Sequence, residues 1–151
     1  MRIVIQRVLE ASVWAEKRLV SEISQGLVIL IGVHSEDNED DIYYLVKKAI
    51  NLRVFNDQNG LMNLSVKDKE YDVILVSQFT LYAYSRKGNR PSFTRSAKAP
   101  ISIPLYNKFV SKFEEELGRK VGTGIFGADM KVSMINDGPV TIILDSKEKS
   151  F

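Results

Sequence analysis

Apolar and polar positions change rhythm several times along this chain, and each change marks an element. Residues 2–8 (RIVIQRV) are rich in β-branched side chains and predict a strand. Ala11–Ala15 and Leu19–Ile23 predict a hairpin that turns at Glu16–Arg18. Gly26–Val33 (GLVILIGV) is apolar without interruption, as expected of a strand buried on both faces. Asp37–Asp41 then puts negative charge where a helix dipole favours it. Ile42, Leu45, Val46, Ala49 and Ile50 follow at helical spacing, predicting a helix that runs to near Phe55. Asn56–Gly60 reads as a turn and Leu61–Val66 as a short edge strand. Asp72–Leu81 opens with the buried run VILV and predicts a strand continuing through Ser77–Leu81.

Residues 84–100 are polar, basic and punctuated by glycine and proline, which predicts a long loop, often a functional feature. A second helix is expected from about Ile103, with Pro104 in its first turn and Gly118 as its cap. Leu105, Phe109, Val110, Phe113 and Leu117 make its apolar stripe. Met130–Ile135 and Val140–Leu144 predict two last strands joined by Asn136–Pro139. Hairpins dominate both ends. The expected fold is therefore mixed α/β, with largely antiparallel β-sheets forming a half-barrel covered on one side by two helices, in β/β/α layers.

Composition narrows the chemistry. The 151 residues fit one domain, 1–151, able to bury a core without staples. There is no cysteine, so thiolate metal sites and cysteine nucleophiles are excluded. His34 is the only histidine, so a serine triad has one possible base; its role is open. No metal and no cofactor is expected. The opening MRIVIQRV is too charged for a secretory signal, and no apolar run approaches a membrane span, so a cytoplasmic location is expected. From Val73 to Phe113 there are seven basic residues, Arg86, Lys87, Arg90, Arg95, Lys98, Lys108 and Lys112, and no acid. Such a one-sign segment can guide a polyanion, and it can equally be a solvated face.

Two segments place polar groups beside apolar strands. In Ser77-Gln78-Phe79-Thr80-Leu81, strand alternation puts Ser77, Phe79 and Leu81 on one face and Gln78 and Thr80 on the other. Asn136-Asp137-Gly138-Pro139-Val140-Thr141 is a plain turn in composition. A cis bond before Pro139 would let the carbonyls of Gly138 and Pro139 point the same way, as an acceptor site for an ammonium group. Taken alone, each segment reads first as an ordinary edge strand or turn.

Together, Ser77–Ala83 (SQFTLYA) and Asn136–Thr141 (NDGPVT) resemble the two signature motifs of the D-aminoacyl-tRNA deacylases. Gly88–Phe93 (GNRPSF), Thr123–Met130 (TGIFGADM), Gln6-Arg7-Val8 and Gly26-Leu27 extend the resemblance over essentially the whole chain. Ser77-Gln78 resembles the standard group rather than an animal paralogue group whose first motif begins Pro-Gln. The resemblance implies a homodimer that hydrolyses the ester of D-aminoacyl-tRNA, and also glycine mischarged on tRNA-Ala, with each site at the subunit interface. It implies that the Gly138 and Pro139 carbonyls enter the partner's pocket and hold the substrate ammonium, with Asn136 and Thr141 bracing them. It places Ser77, Gln78, Phe79 and Thr80 in the catalytic pocket and Arg7, Arg86, Lys87 and Arg90 toward tRNA; Arg7 and Gln6 are equally read as structural pairing. Neither a membrane nor DNA is expected as a partner.

The expected chemistry is acyl transfer to water. Thr80 has no obvious base, so a water helped by the substrate ribose hydroxyl is the expected nucleophile, with amides near Phe79 and Thr80 facing the oxyanion. Two other readings stand beside this one. One is an RNA-binding module that stacks bases on Phe79, Tyr82, Tyr84 and Phe93. The other is a homodimeric scaffold whose Gly-Pro turn only mediates assembly.

Overall fold

The apolar run at Gly26 becomes the centre of the molecule. In the structure, a computed structural model that describes residues 1–149, it forms β3 (Gly26–Gly32), which is buried almost throughout. Along one side it pairs antiparallel with β1 (Arg2–Ala15), and along the other it pairs parallel with β6 (Asp72–Ser77). The chain reaches β6 through helix α1 (Glu39–Asn51) and a small hairpin of β4 (Phe55–Asn56) and β5 (Met62–Leu64). Beyond β6 come a 3₁₀ turn (Phe79–Tyr82), helix α2 (Ala99–Leu117), β7 (Gly122–Thr123) and β8 (Met130–Asp145). The sheet runs β2-β1-β3-β6-β7, where β2 is Arg18–Ile23, and β8 lies along the other edge of β1.

Two cores follow from burying β3 twice. Leu27, Ile29 and Ile31 face Ile42, Leu45 and Ile50 of α1 and Phe109 and Phe113 of α2. Val28, with Ile74 and Val76 of β6, faces Val8, Ala11 and Val13 of β1 and Ile23 of β2. Strand β1 serves both cores because of a bulge. Val8 pairs with Asn136 and Glu10 with Ile135, so Leu9 is an extra residue. That single insertion reverses the alternation, so Val8, Ala11, Val13 and Ala15 share the side of the second core. The sheet thereby curls until β2 touches β7, giving the half-barrel with both helices on one side.

Several boundaries differ from expectation. Residues 2–8 and 11–15 form one strand, as do 130–135 and 140–144. The sheet is antiparallel except at β3–β6 and β6–β7, the parallel pairs. Helix α1 stops at Asn51 because Leu52 turns extended and delivers Val54 and Phe55 to the core. It opens with a capping box: Asn38 Oδ1 accepts from the Asp40 N–H at 2.9 Å and Asp41 Oδ2 from the Asn38 N–H at 2.9 Å. Asp37 instead turns inward, where it pairs with the Met1 ammonium and accepts the His34 N–H. Helix α2 starts at Ala99 with Pro100 in its first turn, and Pro104 lies inside it on the exposed side. No described helix is long and apolar enough to cross a membrane.

Phe109 and Phe113 are fully buried and stacked, with ring centroids 6.0 Å apart. Urea unfolding should therefore show Phe113→Ala destabilised by about 3–5 kcal/mol, from lost burial plus a cavity. Asn38→Ala should cost about 1 kcal/mol through the lost cap.

Candidate active site

Strand β6 ends at Ser77. One further ladder bond, from the Gln78 N–H to the Ile31 carbonyl at 2.7 Å, fixes where the chain leaves the sheet. Gln78 then takes φ −142° and ψ 82°, and Phe79–Tyr82 winds into the 3₁₀ turn. The expected strand through Leu81, with its alternating faces, is therefore not formed. Gly32 is the reason the turn can sit so close to β3. A Cβ there would meet the Leu81 Cβ at 2.9 Å and the Gln78 carbonyl oxygen at 3.2 Å. The turn still brings Gln78 and Thr80 together, since Gln78 Nε2 donates to Thr80 Oγ1.

The turn is held from both sides. Ser96 Oγ donates to the Phe79 carbonyl at 2.6 Å. Arg2 Nη1 donates to the Leu81 carbonyl at 3.1 Å, while its Nε bonds Asp145 at 2.9 Å. The Arg2 guanidinium also lies over Tyr82, 5.2 Å from the ring centroid. Burial, with Asp37 and Asp145 nearby, pushes the Tyr82 phenol above its ordinary range. The amide N–H groups of Phe79 and Thr80 bond no acceptor among the described residues.

A pocket of about 360 Å³ opens beside this turn, at the carboxyl ends of β3 and β6. Ser77, Gln78 and Phe79 form one wall, Ala97 and Ser102 another, and Phe126–Met130 a third. Phe126 leans on Tyr106, with centroids 5.6 Å apart. Tyr106 donates to the Leu75 carbonyl at 2.9 Å, and its burial pushes the phenol up to about 12. Sequence reasoning missed Ser96 and Ala97, just before α2, and Ser102 inside it, all of them small residues that carry no apolar periodic signal. It also missed Arg2. His34 does not line the pocket; its Nδ1 accepts the Glu36 N–H and its ring packs on Tyr82. No cluster of three or more metal-ligating side chains occurs among the described residues.

The second motif is not a turn between strands but a protrusion from one. Gln6 pairs with Thr141 and Val8 with Asn136, so Asp137–Val140 stand opposite Arg7 alone and have no ladder partner. Gly138 has φ +117°, its bond to Pro139 is cis, and both residues are exposed. At the base, Gln6 Oε1 accepts from Asn136 Nδ2 at 3.1 Å and from the Thr141 hydroxyl. Beneath it lies Arg7, 8% exposed, with Nε 3.0 Å from Asp137 Oδ2 and Nη1 donating to the Val54 carbonyl. A Cβ on Gly138 would meet Arg7 Nη2 and Val140 Cγ2, each at 2.9 Å. Arg7 is thus enclosed under the protrusion, apart from the basic surface.

Pocket and protrusion lie at opposite ends of the sheet. Arg7 is level with Leu27 and Val73, and Gln78 is five residues further along β6, on the order of 17 Å by strand rise. Three strand spacings across the sheet, about 14 Å, separate them further. One chain therefore does not bring its two motifs together.

The basic segment divides as well. Lys108 pairs with Glu39, and Lys112 with Glu115 and Glu116. Arg86, Lys87 and Arg90 occupy an exposed arm beyond the Tyr84–Ser92 bridge and make no salt bridge among the described residues.

Comparison with known proteins matches this arrangement to one family. The family model described as D-Tyr-tRNA(Tyr) deacylase matches residues 4–145. The D-aminoacyl-tRNA deacylase of Flavobacterium psychrophilum is 60% identical over 149 residues, 99% of each chain. That of Bacteroides thetaiotaomicron is 50% identical over the same share. A solved structure described as c-Myc DNA Unwinding Element Binding Protein superposes with a TM-score of 0.89 at 39% identity, covering 96% of this chain and 98% of that one. A probable eukaryotic D-amino acid tRNA deacylase shares the fold, with a TM-score of 0.83 at 16% identity over 95% and 98%. Matched over nearly its whole length, the chain belongs to the D-Tyr-tRNA(Tyr) deacylase family.

Proposed function

We propose that this chain is a cytoplasmic D-aminoacyl-tRNA deacylase that works as a homodimer, each subunit's Gly138-Pro139 completing the other's pocket. The observation that carries the reading is the separation of the two motifs. A pocket walled by Ser77, Gln78 and Phe79 and an exposed pair of carbonyls occupy opposite ends of one sheet, an arrangement that a second chain would complete by lending one to the other. The outer edge of β8 has no strand beside it among the described residues, which leaves room for that partner.

In the shared site, the ester carbonyl of the substrate lies against the amides of Phe79 and Thr80. As water attacks, negative charge grows on that oxygen, and one well-placed donor contributes about 3–4 kcal/mol. The partner's Gly138 and Pro139 carbonyls accept the α-ammonium. With carbonyl and ammonium both fixed, the side-chain direction is fixed too. A D side chain meets open space and an L side chain meets backbone, which cannot move aside. Glycine has nothing to be excluded, so glycine mischarged on tRNA-Ala is also released. Asn136, Thr141 and Gln6 hold the base of the clamp, and Arg7 fills the space beneath it.

Among the described residues, no ionisable side chain hydrogen-bonds the Thr80 hydroxyl. That hydroxyl faces Gln78, and His34 is engaged elsewhere. Water is the nucleophile, helped by the ribose hydroxyl next to the ester, and the site works by positioning. Thr80→Ala should accordingly keep activity within about tenfold of wild type in a D-tyrosyl-tRNA release assay with the L form as control. Complete loss in a folded variant would instead indicate a covalent threonine.

Gly138→Ala should lower kcat/KM by about 100-fold or more, since its Cβ displaces the clamp from Arg7 and Val140. Ala99→Trp, which fills the pocket from an exposed wall, should be similarly inactive. Mixing the two inactive variants should restore turnover, because each mixed pair holds one intact site. If mixing restores nothing while the variants still exchange subunits, the shared-site reading is wrong.

The exposed Arg86, Lys87 and Arg90 face phosphates. Replacing all three by alanine should weaken tRNA binding and reduce the salt slope by roughly 0.7–0.9 for every phosphate that is no longer neutralised. An unchanged slope would place the RNA elsewhere.

A further inference from the structure

Between the pocket and the basic arm stand two aromatic pairs. Phe79, 57% exposed at the pocket mouth, is met edge-on by Phe93 with centroids 5.0 Å apart. Next to it, Arg95 lies over Tyr84, with its guanidinium carbon 4.7 Å from the ring centroid. The backbone fixes both pairs to the pocket wall. Tyr84 and Ser92 exchange two backbone bonds, at 2.8 and 2.9 Å, and the Ser96 N–H donates to the Phe93 carbonyl at 3.1 Å. Ser96 also pairs with His34 and holds Phe79, and the adjoining Ala97 N–H donates to the Val33 carbonyl at 2.9 Å. Ala97 and Val33 both line the pocket.

Arg95 differs from the other cations of the segment. Its guanidinium makes no hydrogen bond and no salt bridge among the described residues, yet it is held by Tyr84 on one side. The residue is exposed to solvent. A guanidinium backed by an aromatic ring presents a flat cationic face on which a nucleobase stacks, with its N–H edge free for a phosphate.

We infer that the Tyr84–Arg95 pair is the seat of the nucleotide that precedes the terminal adenosine, its base stacked on the outer face of the guanidinium. This rests on the aminoacyl-RNA reading above and adds a subsite to it. The order along the surface fits a single strand leaving the pocket: ester in the pocket, Phe79 at its mouth, then Tyr84–Arg95, then the charges of Arg86, Lys87 and Arg90. The subsite tolerates any base, because every base has a flat face, but it needs a base to be present.

The test uses three D-tyrosyl esters: of adenosine alone, of the dinucleotide CpA, and of the same dinucleotide with an abasic first position. The full-length protein is compared with Arg95→Lys, which keeps the charge and removes the plane. Wild type should turn over the CpA ester about tenfold or more faster, in kcat/KM, than the other two, and Arg95→Lys should erase that advantage while leaving the adenosine ester unchanged. Equal rates on all three esters with wild type, or an equal loss on all three with Arg95→Lys, overturns the subsite. Hydrolysis of none of them overturns the deacylase reading instead. NMR titration with uncharged CpCpA and its abasic counterpart then still decides the seat: shifts at Arg95 and Tyr84 that need the base support it, and identical shifts from both refute it.

Discussion

β3 can be buried on both faces only if the sheet is covered twice, once by helices and once by itself. The helices cost the chain little, since each supplies an apolar stripe at ordinary helical spacing. The second cover is harder, because it must come from the same strands that already pair with β3. The extra residue Leu9 solves this by turning the far half of β1 over, so that Val8, Ala11 and Val13 close on Val28 and Ile74. β8 follows β1 along its whole length and inherits the bend. Its own excess residues, opposite Arg7, are what stand out from the sheet as the Gly-Pro protrusion. The curl that completes the core and the feature that distinguishes the surface thus arise in adjacent stretches of one strand pair.

Much of this was legible in the sequence where a side-chain pattern reports burial. The unbroken apolar run at Gly26–Val33 does mark a strand enclosed on both faces, and the stripe Leu105–Leu117 does mark the second helix. What the pattern hid were places where the backbone departs from a period. Asn136–Pro139 has turn residues, but the chain needs them to leave a ladder and rejoin it, not to reverse. Ser77–Leu81 alternates like a strand, yet Gly32 on the neighbouring strand admits a tight turn there, and that permission is written 45 residues earlier. Pro100 and Pro104 are both compatible with a helix start, and only packing selects the first. At the pocket, Ser77, Gln78 and Phe79 were singled out from the sequence and do line the wall, but Ser96, Ala97 and Arg2 were not singled out. They act through one hydroxyl, one small side chain and one long reach, none of which has a sequence rhythm.

The chemistry fits a chain with one histidine and no cysteine. The groups gathered around the turn are backbone amides, an amide side chain, hydroxyls and an aromatic rim, while Asp129 on the far wall is paired with Lys131. The groups around the turn do not titrate near neutrality, so they offer orientation and dipoles rather than proton transfer. An aminoacyl ester is already a reactive acyl group, and on the proposed reading a rigid polar cavity suffices for it. The rigidity is visible: the Phe79 carbonyl, the Leu81 carbonyl and the Gln78 N–H are each tied to a different element.

In the proposed shared site, the distance between pocket and protrusion has a kinetic corollary. When each chain lends its clamp outward and receives another's, the working unit is the pair and the isolated chain is silent. At dilutions well below the strength of self-association, turnover then scales with the square of the amount of protein, and specific activity falls toward zero. The proposed exchange would also make a defect non-local: damage to one molecule's protrusion would disable its neighbour's cavity and spare its own.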